Sequence, residues 1–127
     1  TPAKLVSQPT IINVRVFDDN TIVSGGTNKT RIFVPYDLDG AVLANVDIGV
    51  NTPSTNGTIS VQIYNIDSAS NMLSTVASLA NNNYNTARSG TRGVGSTAVL
   101  RGRILRIDVT YAGNTAKGLD VQLVFVK

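Results

Sequence analysis

The chain has 127 residues, 11 Lys+Arg against 8 acidic residues for a formal net charge of +3, and neither cysteine nor histidine. A single domain is the prior at this length, large enough to bury a core without cross-links. The two missing residue types exclude disulfide frameworks, thiolate and imidazole metal sites, and Cys- or His-dependent catalysis.

What remains is rich in strand and turn formers. There are 16 Val, 10 Ile and 14 Thr, every acidic residue is Asp, and Asn, Ser and Gly fill the spaces between apolar runs. β-Branched residues favour strands, and Asn, Asp and Gly favour turns. The opening Thr1-Pro2-Ala3-Lys4-Leu5 has no apolar core of the kind a signal peptide needs. No apolar run reaches the roughly 20 residues of a membrane helix. With 3 Phe, 4 Tyr and no Trp, the chain also lacks the aromatic girdles of an outer-membrane barrel.

Residues 1–10, with Pro2 and Pro9, read as an extended N-terminal arm. Residues 11–127 read as one β-sandwich domain. Ile12, Val14 and Val16 alternate with polar residues and predict a strand facing inward through the three apolar positions, ended by a turn at Asp18-Asp19-Asn20. Thr21–Val23 predicts a short strand closed by Ser24-Gly25-Gly26. Thr30–Pro35 predicts another, with Ile32 and Val34 on one face and Phe33 on the other. In Ala41–Val50, the residues Val42, Ala44, Val46, Ile48 and Val50 share one parity, the signature of a strand. The polar stretch ending in Asn56-Gly57 then reads as a turn, and Thr58–Ile66 as a strand with Ile59, Val61 and Ile63 inward. These two long strands are expected to pair antiparallel.

Met72–Ala80 fits a strand through Leu73, Thr75, Ala77 and Leu79, and a short helix less well. Asn81–Asn85 reads as a surface loop and Arg88–Ser96 as a Gly-rich one, with a short strand over Thr97–Leu100. Arg103–Tyr111 predicts a strand with Leu105, Ile107, Val109 and Tyr111 inward. The last strand faces inward through Leu119, Val121, Leu123 and Phe125, and its opposite face carries Val124 and Val126, which a neighbour would cover. About eight strands with turn residues between them predict an all-β fold, an antiparallel β-sandwich of jelly-roll type.

The chemistry-bearing motifs are sparse. Asp37-Leu38-Asp39-Gly40 resembles the start of a calcium loop but has no Glu to finish it, so a capped turn is expected. Asp18-Asp19 and Asp37/Asp39 are the only paired carboxylates, and nothing sets them across a cleft, so no enzyme, cofactor or metal is expected. Five of the seven Arg lie between Arg88 and Arg106. Guanidinium forks pair with carboxylates or phosphates. A solvated face and docking on an acidic protein surface are the two readings of this cluster. Nucleic acid is not expected, because stacking aromatics are missing nearby. The candidate partner-binding residues are Pro2, Lys4, Leu5, Val6, Arg88, Arg92, Arg101 and Arg103. The alternative, glycan binding, would use an aromatic ring under a sugar. Its candidates are Tyr36 and Tyr84, with Tyr64 placed in a sheet.

The run DGAVLANVDIGVNTPSTNGTISVQIYNI ending at Ile66, MLST at Met72–Thr75, and RILRIDVTYAGNTAKGLDVQLVF over Arg103–Phe125 resemble small virion proteins of tailed bacteriophages, described variously as head-decoration or tail-fibre-associated. The resemblance covers roughly residues 30–126, and residues 81–100 depart from it. It implies a structural protein on the capsid surface that binds the major capsid protein, stands as a homotrimer, and reaches its neighbours through the N-terminal arm and the Arg-rich segment. It also implies the alternative, a tail-fibre or receptor-binding module for host cell-surface glycan.

Overall fold

A computed structural model describes residues 9–86, 90–91 and 98–127. Among them run nine strands: β1 (Thr10–Ile22), β2 (Gly26–Phe33), β3 (Val42–Thr52), β4 (Ile59–Asn65), β5 (Ser70–Asn71), β6 (Ala77–Leu79), β7 (Gly90–Thr91), β8 (Ile104–Ala112) and β9 (Lys117–Val126). Tyr36–Leu38 is a single 3₁₀ turn. All pairings are antiparallel and fall in two sheets. The smaller has the order β1-β9-β3, the larger β2-β8-β4-β6-β7, with β5 pairing β4 off that path. The architecture is an all-β sandwich, as the alternation and turn spacing predicted.

The core lies between the sheets. Leu43, Val46 and Ile48 of β3 and Leu119, Leu123 and Phe125 of β9 close it from one side, and Ile59, Val61, Ile63, Leu105 and Ile107 from the other, all at 2% exposure or less. Burying one such side chain contributes roughly 1.5–3 kcal/mol. Ile12, Val14 and Val16 are half-buried against it, as their parity required.

Several expectations are corrected. β3 and β4 do not pair; they sit in opposite sheets. Their connection is tethered across the end of the sandwich instead of folding into a hairpin. The buried Ser54 hydroxyl accepts the Asn114 N–H at 2.8 Å, Thr55 N–H donates to Asn114 carbonyl at 3.0 Å, and Asn82 N–H donates to Ser54 carbonyl at 2.8 Å. Asp18-Asp19-Asn20 is no turn but the continuation of β1, whose pairing with β9 slips between Phe17↔Leu119 and Ile22↔Lys117. The slip passes Gly118, whose φ of +67° belongs to the left-handed region, and where a Cβ would stand 2.9 Å from Asp19 Cα.

Two bulges reverse side-chain parity, because one extra residue moves every later side chain to the other face. At Ala44 the register against β9 shifts, so Leu43 turns inward while Val42 does not share the face of Val46. Past Val109 the register against β4 shifts from Val61↔Val109 to Ser60↔Tyr111. Tyr111, expected inside, is therefore 68% exposed. Met72–Ala80 forms a strand only over Ala77–Leu79, and Thr97–Leu100 contributes only an isolated bridge, Ala98 to Val42.

Candidate interaction surface

β2 stops where the sequence removes its donor. Pro35 has no N–H and cannot extend a ladder, so the chain turns through Tyr36–Leu38, with Leu38 N–H donating to Pro35 carbonyl at 3.0 Å and Asp39 N–H to Tyr36 carbonyl at 3.2 Å. This turn is zipped to the segment before β8. Val34 N–H donates to Arg103 carbonyl at 2.9 Å, Gly102 N–H to Val34 carbonyl at 3.0 Å, and Gly40 N–H to Val99 carbonyl at 2.7 Å. Asp39 Oδ1 accepts the Arg101 N–H at 3.0 Å. The Asp37-Leu38-Asp39-Gly40 motif does form a turn, but Asp39 ties it to a distant segment and no side chain caps the turn itself.

The zipper fixes side chains from two distant parts of the chain on one surface. The Arg101 guanidinium lies over the Tyr36 ring, 4.9 Å from its centroid. Tyr36 is 72% exposed, Phe33 71% and Leu100 51%. Arg103 stands beside them and pairs with Asp67 at 3.3 Å, an exposed contact of small energetic value. A depression of about 310 Å³ runs between Leu100, Arg103, Asn65, Asp67, Ser68 and Ala98. Large apolar groups in water beside planar cations are the composition of a protein-binding surface, where Tyr and Arg carry most of the energy.

The expected site residues are thus sorted. Arg101, predicted for a partner, lies on Tyr36, predicted for a glycan, and Arg103, also predicted for a partner, lines the neighbouring depression with Leu100. Pro2, Lys4, Leu5, Val6, Arg88 and Arg92 lie outside the described residues, as do residues 1–8 of the expected arm and most of the Gly-rich loop. Tyr84 sits elsewhere, at the edge of β3, where its carbonyl accepts the Val50 N–H at 2.9 Å and its side chain is exposed. Tyr64 is in β4, covered by the Arg106 guanidinium at 4.1 Å. Arg106 holds Asp108 through two hydrogen bonds of 2.7 and 2.8 Å. That contact, above all, raises the Arg106 pKa above its ordinary value. Arg106 therefore belongs to the sheet and not to the patch.

Sequence reasoning missed Phe33 and Leu100. The signal for Phe33 was present: it opposes Ile32 and Val34 in parity, so a strand that buries them must expose it. Leu100 carried none, since its surroundings depend on hydrogen bonds to residues some 65 positions away.

No family model matches the chain, and no curated protein sequence matches it. Among solved structures it is similar to a chain of the capsid asymmetric unit of cyanophage Pam1, at 16% identity over 99% of this chain and 89% of that one, with a TM-score of 0.54. It also matches the SPBc2 prophage-derived protein YomS (13% identity, 98% of this chain and 100% of that one, TM-score 0.48) and a chain in the acid-stable capsid structure of Helicobacter pylori bacteriophage KHP30 (19%, 98% and 90%, TM-score 0.47). At such identities the likeness is one of fold, and of these three it is the Pam1 chain whose overlap supports it.

Proposed function

We propose that the chain is a bacteriophage virion structural protein, a decoration protein that binds the major capsid protein on the outside of the head. The observation that carries this reading is the fold shared with a chain of the Pam1 capsid over 99% of the length. Three features support it. Strands β1 to β4 fall in alternate sheets, with the orders β1-β9-β3 and β2-β8-β4-β6-β7, which supports reading the sandwich as a jelly roll. Six of the eight aspartates make structural contacts: Asp19 and Asp120 pair with Arg15, Asp67 with Arg103, Asp108 with Arg106, Asp39 with an amide and Asp47 with Thr86. In this reading none of them is an acid or base, and the protein catalyses nothing.

The third feature is the patch of Phe33, Tyr36, Leu100, Arg101 and Arg103, suited to an acidic, partly apolar shell surface. Many copies on one shell multiply individually weak contacts. Ile11, at 52% exposure, and Val126, at 38%, stand on the outer face of the small sheet with Val124, an apolar area that a second copy would cover in a homotrimer.

The test is co-sedimentation with purified shells that lack the protein. The full chain is expected to pellet with shells at physiological salt, and the double variant Tyr36→Ala/Arg101→Ala to lose at least about tenfold in affinity, since hot-spot truncation costs 2 kcal/mol or more. Deleting residues 1–10 is expected to weaken association while the domain stays folded. Wild-type protein that fails to bind shells, or a double variant that binds them normally, overturns the assignment of this patch.

A further inference from the structure

The outer face of the small sheet carries a feature that shell docking leaves unused. Asn13, Gln122 and Asp47 lie in register across β1, β9 and β3, and the next row is Arg15, Asp120 and Gly49. Because Gly49 has no side chain, the backbone of Ile48, Gly49 and Val121 is bared there. Asn13, Gln122, Asp47, Asp120 and Asn85 line this floor, an open depression of about 270 Å³. Packing does not demand the glycine. A Cβ would meet Tyr84 carbonyl oxygen at 3.4 Å, an ordinary contact. What the glycine supplies is the open floor.

The rim is preset for hydrogen bonding. Gln122 Nε2 donates to Asn13 Oδ1 at 3.0 Å. That bond holds both amides in place and leaves Gln122 Oε1 as an acceptor and Asn13 Nδ2 as a donor, neither with a partner among the described residues. Tyr84, 60% exposed, is anchored at the same edge through its carbonyl. Tyr84 precedes Asn85 of the rim in the chain, whereas the other exposed aromatics of the strands, Phe33 and Tyr111, belong to the large sheet.

An apolar floor, a fixed donor–acceptor pair and a nearby ring match the two-sided chemistry of a sugar, whose C–H face is apolar and whose edge is a row of hydroxyls. None of the described residues that line the depression is basic, so nothing among them draws sialic acids, uronates or sugar phosphates. We propose that this depression binds a neutral pyranose, with Asn13 and Gln122 holding adjacent hydroxyls and Tyr84 flanking the ring. The groove is on the other sheet from Phe33 and so is separate from the shell-docking patch; it adjoins the Ile11–Val124 row, and a trimer contact there would have to leave Asn13 and Gln122 uncovered.

The experiment is an NMR titration of the ¹⁵N-labelled full chain with neutral methyl glycosides, the corresponding neutral polysaccharides, and sialylated and uronate controls. At least one neutral sugar is expected to shift the side-chain amide signals of Asn13 and Gln122. Asn13→Ala and Gln122→Ala are each expected to weaken that binding about tenfold, with backbone spectra otherwise unchanged, while Phe33→Ala leaves it intact. Stronger binding of the polymer per residue assigns the ligand to a cell-surface glycan, and equal binding to a free sugar. No neutral sugar bound at millimolar concentration, a preference for the anionic controls, or binding indifferent to both substitutions overturns the proposal.

Discussion

Both sheets carry polar side chains on their outer faces, yet these side chains do opposite work. On the large sheet the polar groups are covered: Ser60 is 2% exposed, Asp108 6% and Gln62 7%. Gln62 accepts from Leu73 N–H at 3.0 Å and donates to Leu73 carbonyl at 3.1 Å, so it replaces a strand partner for the segment folded over it. On the small sheet Asn13 and Arg15 are exposed and meet Gln122 and Asp120 at the surface. A polar side chain shut away from water must be fully partnered or it destabilises the fold, whereas one in water costs nothing to leave available. Desolvation, not residue type, separates scaffold from candidate site.

Removing the covered groups is the strongest way to break that contrast. Gln62→Leu strands the buried N–H and carbonyl of Leu73 together and is expected to lower stability by about 3 kcal/mol in urea unfolding; a loss under about 1 kcal/mol would mean water reaches this face. Asp108→Asn comes next. It weakens both the Arg106 contact and the 2.7 Å hydrogen bond from Asn28 N–H, and is expected to lower the unfolding free energy by about 2 kcal/mol. On the small sheet Asn13→Ala is expected to stay within about 0.5 kcal/mol of the parent by the same measurement. Smallest of all, Arg15→Gln is expected to leave the unfolding midpoint nearly unchanged at physiological salt, because its pairs with Asp19 and Asp120 are exposed, where water and side-chain entropy leave an ion pair little net value. A marked loss in either small-sheet variant would make that face structural too.

Much of the fold was legible because strand alternation is a local property. Ile59, Val61 and Ile63, and Leu119, Val121, Leu123 and Phe125, needed only their own spacing to declare an inward face. The same rule failed for Tyr111, where a bulge inserts one residue, and bulges follow from the partner strand's register and not from the bulged sequence. It failed at Asn51–Gly57 as well. The turn residues are there, but Ser54 anchors them to Asn114 and Asn82, and the chain crosses to the other sheet. The candidate site was half legible: Arg101, Arg103 and Tyr36 stood out by type, while their meeting with Phe33 and Leu100 did not.

The sequence by itself determined the class of the molecule. Abundant β-branched residues in period-two runs and the absence of His and Cys point to strands packed face to face and away from His- or Cys-based chemistry, since both inferences use only composition and nearest neighbours. Only the tertiary structure decided which strands pair, where parity reverses, and which of two polar faces is sealed. Those outcomes depend on hydrogen bonds and cover supplied by residues far off in the chain, and such energies have no local trace to read.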